Sequence, residues 1–370
     1  MGETAVKKAR QSNIELCRVL CMVLIIAHHC IVHGGAYKMD VCTNKWVSML
    51  IIPGGKICYV AFLAISTWFL VEQDFKCERF IKIWGQTFFY SVTFTILAYI
   101  SGIEITKIDF LSSFFPITGN VHGFAAAYLI LYACIPFLSL VAKNINKKQH
   151  QLLLLILFSV DIFSQIMQAI TGHDQKLYSN VGFFIFCYFL TLYLKRYPFK
   201  LLNSQLFLFT VFLICWLVIA GLYTVLYLHP DKKIFSILLQ LVNSQHTINC
   251  VLAGYAMFFF FRNIKIPRIS AINFLAKPTF AILMIHDHNF FRPVVWNTII
   301  QANTWYYSKY FIVRVGLTVV FIYLVCTVID YIRLYLIEKN IMKLKCIKRL
   351  EEKVDKVMNG SSGEKKAGIV

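Results

Sequence analysis

Arg18 and His29 sit in the run IELCRVLCMVLIIAHHC, residues 14–30, which is otherwise oily enough to lie in lipid. On a helix, eleven positions amount to about three turns and a rise of about 16 Å. Eleven steps of about 100° return to within about 20° of the starting direction, so the guanidinium and this imidazole share a face while His28 points away. Histidines in membrane helices usually mark pathways or reaction centres, because burying them is expensive. An imidazole can serve as a general base near neutral pH, and the forked guanidinium suits a phosphate. The pair therefore fits a phosphate-bearing donor that reaches in from the cytoplasm and presents a reactive group deep in the bilayer. Glu15, three residues before Arg18, offers a plainer role in which it neutralises an arginine that snorkels to the interface.

Further polar residues fall near the outer ends of apolar runs. His33 lies one turn beyond His29, and His122 opens NVHGFAAAYLILYACIPFL. His286, Asp287 and His288 close FLAKPTFAILMIHDHNFFRPVVW. Together they bring several titratable groups to one depth, as an acid/base site requires. Consecutive residues of a helix point apart, so no metal site is expected from the 286–288 cluster.

The elements that must position these groups follow from composition. The 370 residues are 58% hydrophobic and only 15% charged, against about 25% charged in ordinary soluble domains. The excess recurs in blocks, which indicates an all-α, polytopic membrane bundle in contact with the lipid bilayer. Ten segments fit a crossing helix: 14–33, 57–71, 84–101, 123–142, 151–170, 180–194, 206–228, 247–261, 274–291 and 310–337. With the amino terminus inside, about 25 Lys and Arg residues fall on inner segments and about 10 on outer ones. Both termini are then expected to be cytoplasmic, in agreement with an even span count. That layout also excludes a nucleic-acid partner, for which the net charge of +19 would need to gather on one soluble domain.

Most of the 12 cysteines lie inside apolar runs with no CxxC pair, so neither disulfide nor zinc chemistry is indicated. The first 13 residues lack a small-residue cleavage site and read as a cytoplasmic segment before a retained first span. The membrane domain is expected over 14–337. Residues 338–370 read as a basic cytoplasmic helix, suited to anionic headgroups, and a disordered tail.

The chain resembles the acyltransferase-3 membrane proteins, which include bacterial sugar and polysaccharide O-acetyltransferases. That family's first span carries an arginine, ten residues and a histidine, here Arg18 to His29. FLAISTWFL (62–70), RFIKIWGQTFFYS (79–91), FFPITGNVHGFAAAYLILYACIPFLS (114–139) and LAKPTFAILMIHDHNFFRPVVW (275–296) resemble later family segments in the expected order. Three positions depart from the pattern: Ser66-Thr67 replaces Ser-Gly, Gly123-Phe124 replaces Trp-Phe, and Leu283 stands where a tyrosine is usual.

The resemblance implies a multi-pass enzyme of the bacterial cytoplasmic membrane. It would use acetyl-CoA or another acyl-CoA as donor substrate, with no permanently bound cofactor and no metal. The acceptor would be a hydroxyl on a surface polysaccharide or lipid-linked glycan. Arg18 would hold the donor's phosphates, and His29 would deprotonate the hydroxyl or carry the acyl group briefly. His286 and Asp287 would orient His29 or stabilise the oxyanion, and His122 and Trp68 would contact substrate. A glycan exporter on the same scaffold is the alternative. It would want repeat symmetry with broken spans in matching halves, a pattern that Pro136 and Pro278 do not make.

Overall fold

A computed structural model describes residues 11–35, 40, 42–119, 121–172 and 180–359. The first ten residues and the expected disordered tail from 360 onward lie outside the described residues. Those described are helical throughout, with no strand. In chain order the helices are α1 (Ser12–His33), α2 (Thr43–Ile51), α3 (Gly54–Leu70), α4 (Cys77–Ile100), α5 (Lys107–Ser112) and α6 (Gly123–Asn144). There follow α7 (Lys147–Thr171), α8 (Asn180–Arg196), α9 (Gln205–Leu228), α10 (Lys233–Val242), α11 (Ile248–Asn263), α12 (Ser270–Ala276) and α13 (Thr279–His286). Finally, α14 (Phe311–Arg333) runs through a π-helical turn (Leu334–Glu338) into α15 (Lys339–Ile341), and α16 (Lys345–Met358) closes the series.

Each of the ten expected segments overlaps a helix, but only six helical units among the described residues are long and apolar enough to cross a bilayer. They are Ser12–His33, Thr43–Leu70, Gly123–Asn144, Lys147–Thr171, Gln205–Leu228 and Phe311–Ile341. The remaining four have identifiable shortfalls. α4 is charged at its start by Glu78, Arg79 and Lys82 and made polar beyond them by Gln86, Thr87, Ser91, Thr93 and Thr95, while α8 and α11 are only 17 and 16 residues long. The ninth segment is cut where Pro278, which has no N–H to donate, separates α12 from α13.

The core is built around α3. Ile57, Cys58, Val60, Ala61, Leu63, Ala64 and Ile65 have no exposed surface, and most of these side chains are small or β-branched. α1 packs along one side of α3, and α11 along another. In lipid the helices have no hydrophobic drive to associate, so close backbone approach and interhelical hydrogen bonds carry more of the packing. Both devices are present. Gly254 of α11 lies so near α3 that an added Cβ would stand 2.7 Å from the Val60 Cβ and 2.9 Å from the Ala61 nitrogen. Thr67 of α3, where the family pattern has glycine, shares a hydrogen bond of 2.7 Å with Thr191 of α8. Thr191 in turn meets the Tyr255 hydroxyl of α11 at 2.8 Å.

By contrast, α7 buries only His150, Asp161 and Ala169 and presents an apolar surface all along its length, as expected of a helix facing lipid. On the other flank, Asp330 of α14 accepts hydrogen bonds from Tyr90 (2.8 Å) and Gln86 (3.1 Å) of α4 and from Arg333 (2.9 Å).

Gly254→Ala should force α11 away from α3 and destabilise the protein by about 1–3 kcal/mol, the usual penalty for overpacking. Gly316→Ala is the control, since its Cβ would meet nothing within 4 Å. Thermal unfolding in detergent should show a lower midpoint for the first variant and none for the second. Equal midpoints would show that the α3–α11 crossing is not tight.

Candidate active site

The last turn of α1 meets the C-terminal end of α13, and there the sequence-predicted groups converge. His286 Nδ1 lies 2.5 Å from the carbonyl oxygen of Ile282, one turn back on its own helix. A carbonyl can only accept, so a neutral His286 carries its proton on Nδ1 and leaves Nε2 bare. His29 Nδ1 stands 3.0 Å from that bare nitrogen, and so must be the donor. His29 therefore keeps its own Nε2 unprotonated, with a free lone pair. A single backbone carbonyl thus sets the tautomer of two imidazoles in series.

Asp287 stands beside this lone pair, its Oδ2 3.8 Å from His29 Nε2. Its Oδ1 accepts a hydrogen bond from Arg292 (3.2 Å) and lies 3.5 Å from His33 Nε2. The carboxylate is placed to balance the charge that His29 would acquire on taking up a proton. His29, His33 and Asp287 each offer one ligand atom within 4.8 Å of the others, a spacing that a divalent ion would accept. The guanidinium already on Asp287 competes for that place.

His28, expected from the helical phase to point away, lines the same cavity as His29, and its Nδ1 lies 2.6 Å from the Ile52 carbonyl. Its ring presses on Gly55, where a Cβ would come within 2.4 Å of ring atoms. Glycine is required there for α1 and α3 to approach this closely. His288 is structural. Its Nε2 donates to the Ser91 carbonyl (3.1 Å), and its Nδ1 accepts from the Phe290 (3.3 Å) and Phe291 (3.2 Å) amides. His122 packs edge-on against His288, with ring centres 5.0 Å apart, rather than against His29.

A cavity of about 180 Å³ opens beside His29 and Asp287. Met22, Ile25, Phe62, Phe124 and Leu283 make its walls apolar, and Lys56 and Tyr59 also line it. The family departure at Leu283 thus falls on the cavity wall. Sequence reasoning missed Lys56, which it counted as an outer-loop charge, and Tyr59. Their signal was the spacing of three residues at the start of a buried helix.

Arg18 and Trp68 are not in this cavity. It reaches along α1 only to Met22, one turn short of Arg18. Arg18 bonds Glu15 at 2.9 and 3.1 Å and lies over the Phe69 ring at 5.6 Å. Trp68, the neighbouring residue at that end of α3, lies between two cations, with Lys195 at 4.3 Å and Arg262 at 4.6 Å from its ring centre. Arg262 also forms part of a second cavity, about 730 Å³, with Asn13, Asn203, Lys265 and Arg268. The bundle therefore has a basic, aromatic end and a histidine–carboxylate end.

An all-helical membrane protein with a buried imidazole relay and a separate basic mouth defines the class. The chain belongs to the acyltransferase-3 family, whose acyltransferase domain matches residues 11–330, and is thus a membrane acyltransferase. No curated protein and no solved structure matches it.

The tautomer assignment can be read directly from ring-nitrogen chemical shifts of isotope-labelled histidine. His29 should show a protonated Nδ1 and an unprotonated Nε2 at neutral pH. In His286→Phe, which keeps a ring but removes the acceptor, the His29 signals should shift towards a mixture of both tautomers. A protonated His29 Nε2 in the parent protein would break the relay as drawn.

Proposed function

We propose that the protein is an O-acyltransferase of the bacterial cytoplasmic membrane, with ten crossing segments and both termini cytoplasmic. It moves an acetyl group from cytoplasmic acyl-CoA to a hydroxyl of a surface polysaccharide or its lipid-linked precursor. The observation that carries this reading is the unprotonated Nε2 of His29 in a small, apolar-walled cavity.

The chemistry starts at that base. The acceptor hydroxyl gives its proton to His29 Nε2, and its oxygen bonds the thioester carbonyl carbon. Asp287 balances the imidazolium that results. When the carbon–sulfur bond breaks, the same proton passes to the departing thiolate, and His29 returns to its starting tautomer. His286 holds the ring in register throughout, as the third member of a base–orienter pair does in other acyl-transfer sites. The apolar walls keep out the water that would otherwise hydrolyse the thioester.

The donor's anionic end belongs at the basic mouth. Lys195 and Arg262 flank Trp68, an arrangement that suits an aromatic base together with phosphates. Arg18 lies between this mouth and the catalytic cavity. It can trade its Glu15 partner for a phosphate or hold the arm of the donor at that depth. Within this reading Trp68 acts on the donor, and His122 supports the acceptor side through His288.

His29→Ala should lower ester-linked acetate on surface glycan by about 10²–10⁴-fold, the usual contribution of a positioned base, while the glycan still reaches the surface. Loss of the glycan itself, with normal acetylation of what remains, would favour an exporter instead. Arg18→Ala and Arg262→Ala should each raise the KM for acetyl-CoA about tenfold, as removal of a charge-assisted contact predicts. Normal donor kinetics in both would remove the basic mouth from its role.

A further inference from the structure

Two residues of α3 that carry hydrogen-bond donors, Lys56 and Tyr59, line the catalytic cavity. Lys56 and Tyr59 are three residues apart, on one face of the helix, and both line the cavity that holds His29 and Asp287. The Tyr59 hydroxyl is sealed from solvent and has no hydrogen-bond partner among the described residues. Lys56 makes no direct hydrogen bond or ion pair among the described residues, and Asp287 on the same cavity wall attracts its ammonium. A phenol with no partner in an apolar wall is unfavourable, and phenylalanine would fill the same space without that penalty; the part-buried Lys56 ammonium faces the field of Asp287 without pairing to it directly. Such donors belong where negative charge develops during a reaction.

Other donors nearby are already engaged. Arg292 is on Asp287 at 3.2 Å, and the Gly55 amide donates to the Ile52 carbonyl at 3.2 Å. Arg18 is on Glu15, beyond the end of the cavity. Lys56 and Tyr59 are the donors left without a direct acceptor on the cavity wall, among the described residues.

We propose that Lys56 and Tyr59 form the oxyanion hole of the acyl transfer, an inference that rests on the function proposed above. As the acceptor oxygen bonds the thioester carbon, the carbonyl π pair moves onto oxygen. That oxyanion receives hydrogen bonds from Lys56 Nζ and Tyr59 Oη. The pair then returns to re-form the carbonyl, the carbon–sulfur bond breaks, and the proton on His29 goes to the thiolate. Neither donor is consumed. His29 and the two α3 donors thus act on opposite atoms of the same bond-making step, proton removal at the acceptor and charge uptake at the carbonyl.

The test uses the full-length protein in membranes of cells lacking the native gene. Acetyl-CoA is the probe, and both thiol release and ester-linked acetate on surface glycan are followed. Lys56→Met should lower kcat by about 10²–10³-fold, as loss of one oxyanion donor does, with the acetyl-CoA KM within about threefold. Lys56→Arg, which keeps a charged donor, should recover at least about tenfold of that loss, and Tyr59→Phe should lower kcat about tenfold by the same reasoning. The thermal midpoint of Tyr59→Phe should equal or exceed that of the parent, since it removes a buried unsatisfied hydroxyl, and that of Lys56→Met should stay at the parent's value. A Lys56→Met protein with unchanged kcat overturns the proposal. So does one that fails through a raised KM or a lowered thermal midpoint. If the parent itself transfers no acyl group, the function reading fails; if the parent and Lys56→Met transfer equally, only the oxyanion hole does.

Discussion

A neutral imidazole has two nitrogens and one proton, and inside an apolar bundle that count decides what His29 can do. The Ile282 carbonyl accepts the hydrogen bond of His286 Nδ1–H, and His286 Nε2 accepts that of His29 Nδ1–H. The exposed nitrogen of His29 is therefore bare before any substrate arrives. In water either tautomer would be open to both rings. Here the choice is made by a helix end: α13 is only eight residues long, opens behind Pro278, and stops at His286. The break in the ninth apolar segment and the register of the base are thus parts of one device.

The relay works only if α1, α3 and α13 hold their spacing, and the packing shows how that is done without bulky interlocking. Gly55 lets the His28 ring lie on the start of α3, and Gly254 lets α11 close on its middle. The Thr67–Thr191–Tyr255 chain ties α3 to two further helices by hydrogen bonds. Lipid offers no alternative partners for such groups, so satisfied polar chains in the interior add definition as well as stability. The departure from the family's Ser-Gly at Thr67 has a plain physical reading: a hydroxyl replaces close backbone contact as the means of joining neighbours.

Much of this could be read from residue order. The helical phase of residues 14–30 singles out His29 as the partner of Arg18, yet His28 and His29 both line the cavity. Depth placed His122, His286 and Asp287 at the level of His29, and only the family resemblance implied that His286 and Asp287 turn towards it; His122 packs on His288 instead. The span count was less legible. Hydropathy marks apolar stretches and does not measure helices, so it does not distinguish the six long apolar helices from runs that fold into helices of 16 or 17 residues or are broken at a proline. Lys56 was read as a loop charge because a lysine near a span boundary usually is one. Only the three-dimensional wall, with Tyr59 one turn on, turns it inward. The place of Trp68 could not be foreseen, because Lys195 and Arg262 come from distant helices.

The two ends of the bundle are carried by the same pair of helices. α1 bears Arg18 and His29; α3, running the other way, bears Trp68 and Phe69 at one end and Lys56 and Tyr59 at the other. Arg18 over Phe69 and His28 against Gly55 fix that antiparallel pairing at both ends. From Arg18 to His29 the rise is about 16 Å, and from Lys56 to Trp68 about 18 Å. The interval between the basic mouth and the base is therefore set by helical rise, with no dependence on loops. A donor of fixed length that spans it would meet a fixed geometry whatever the outer surface has become. Leu283, where the chain departs from the family pattern, and Phe124 form the wall beside the base, outside that fixed interval.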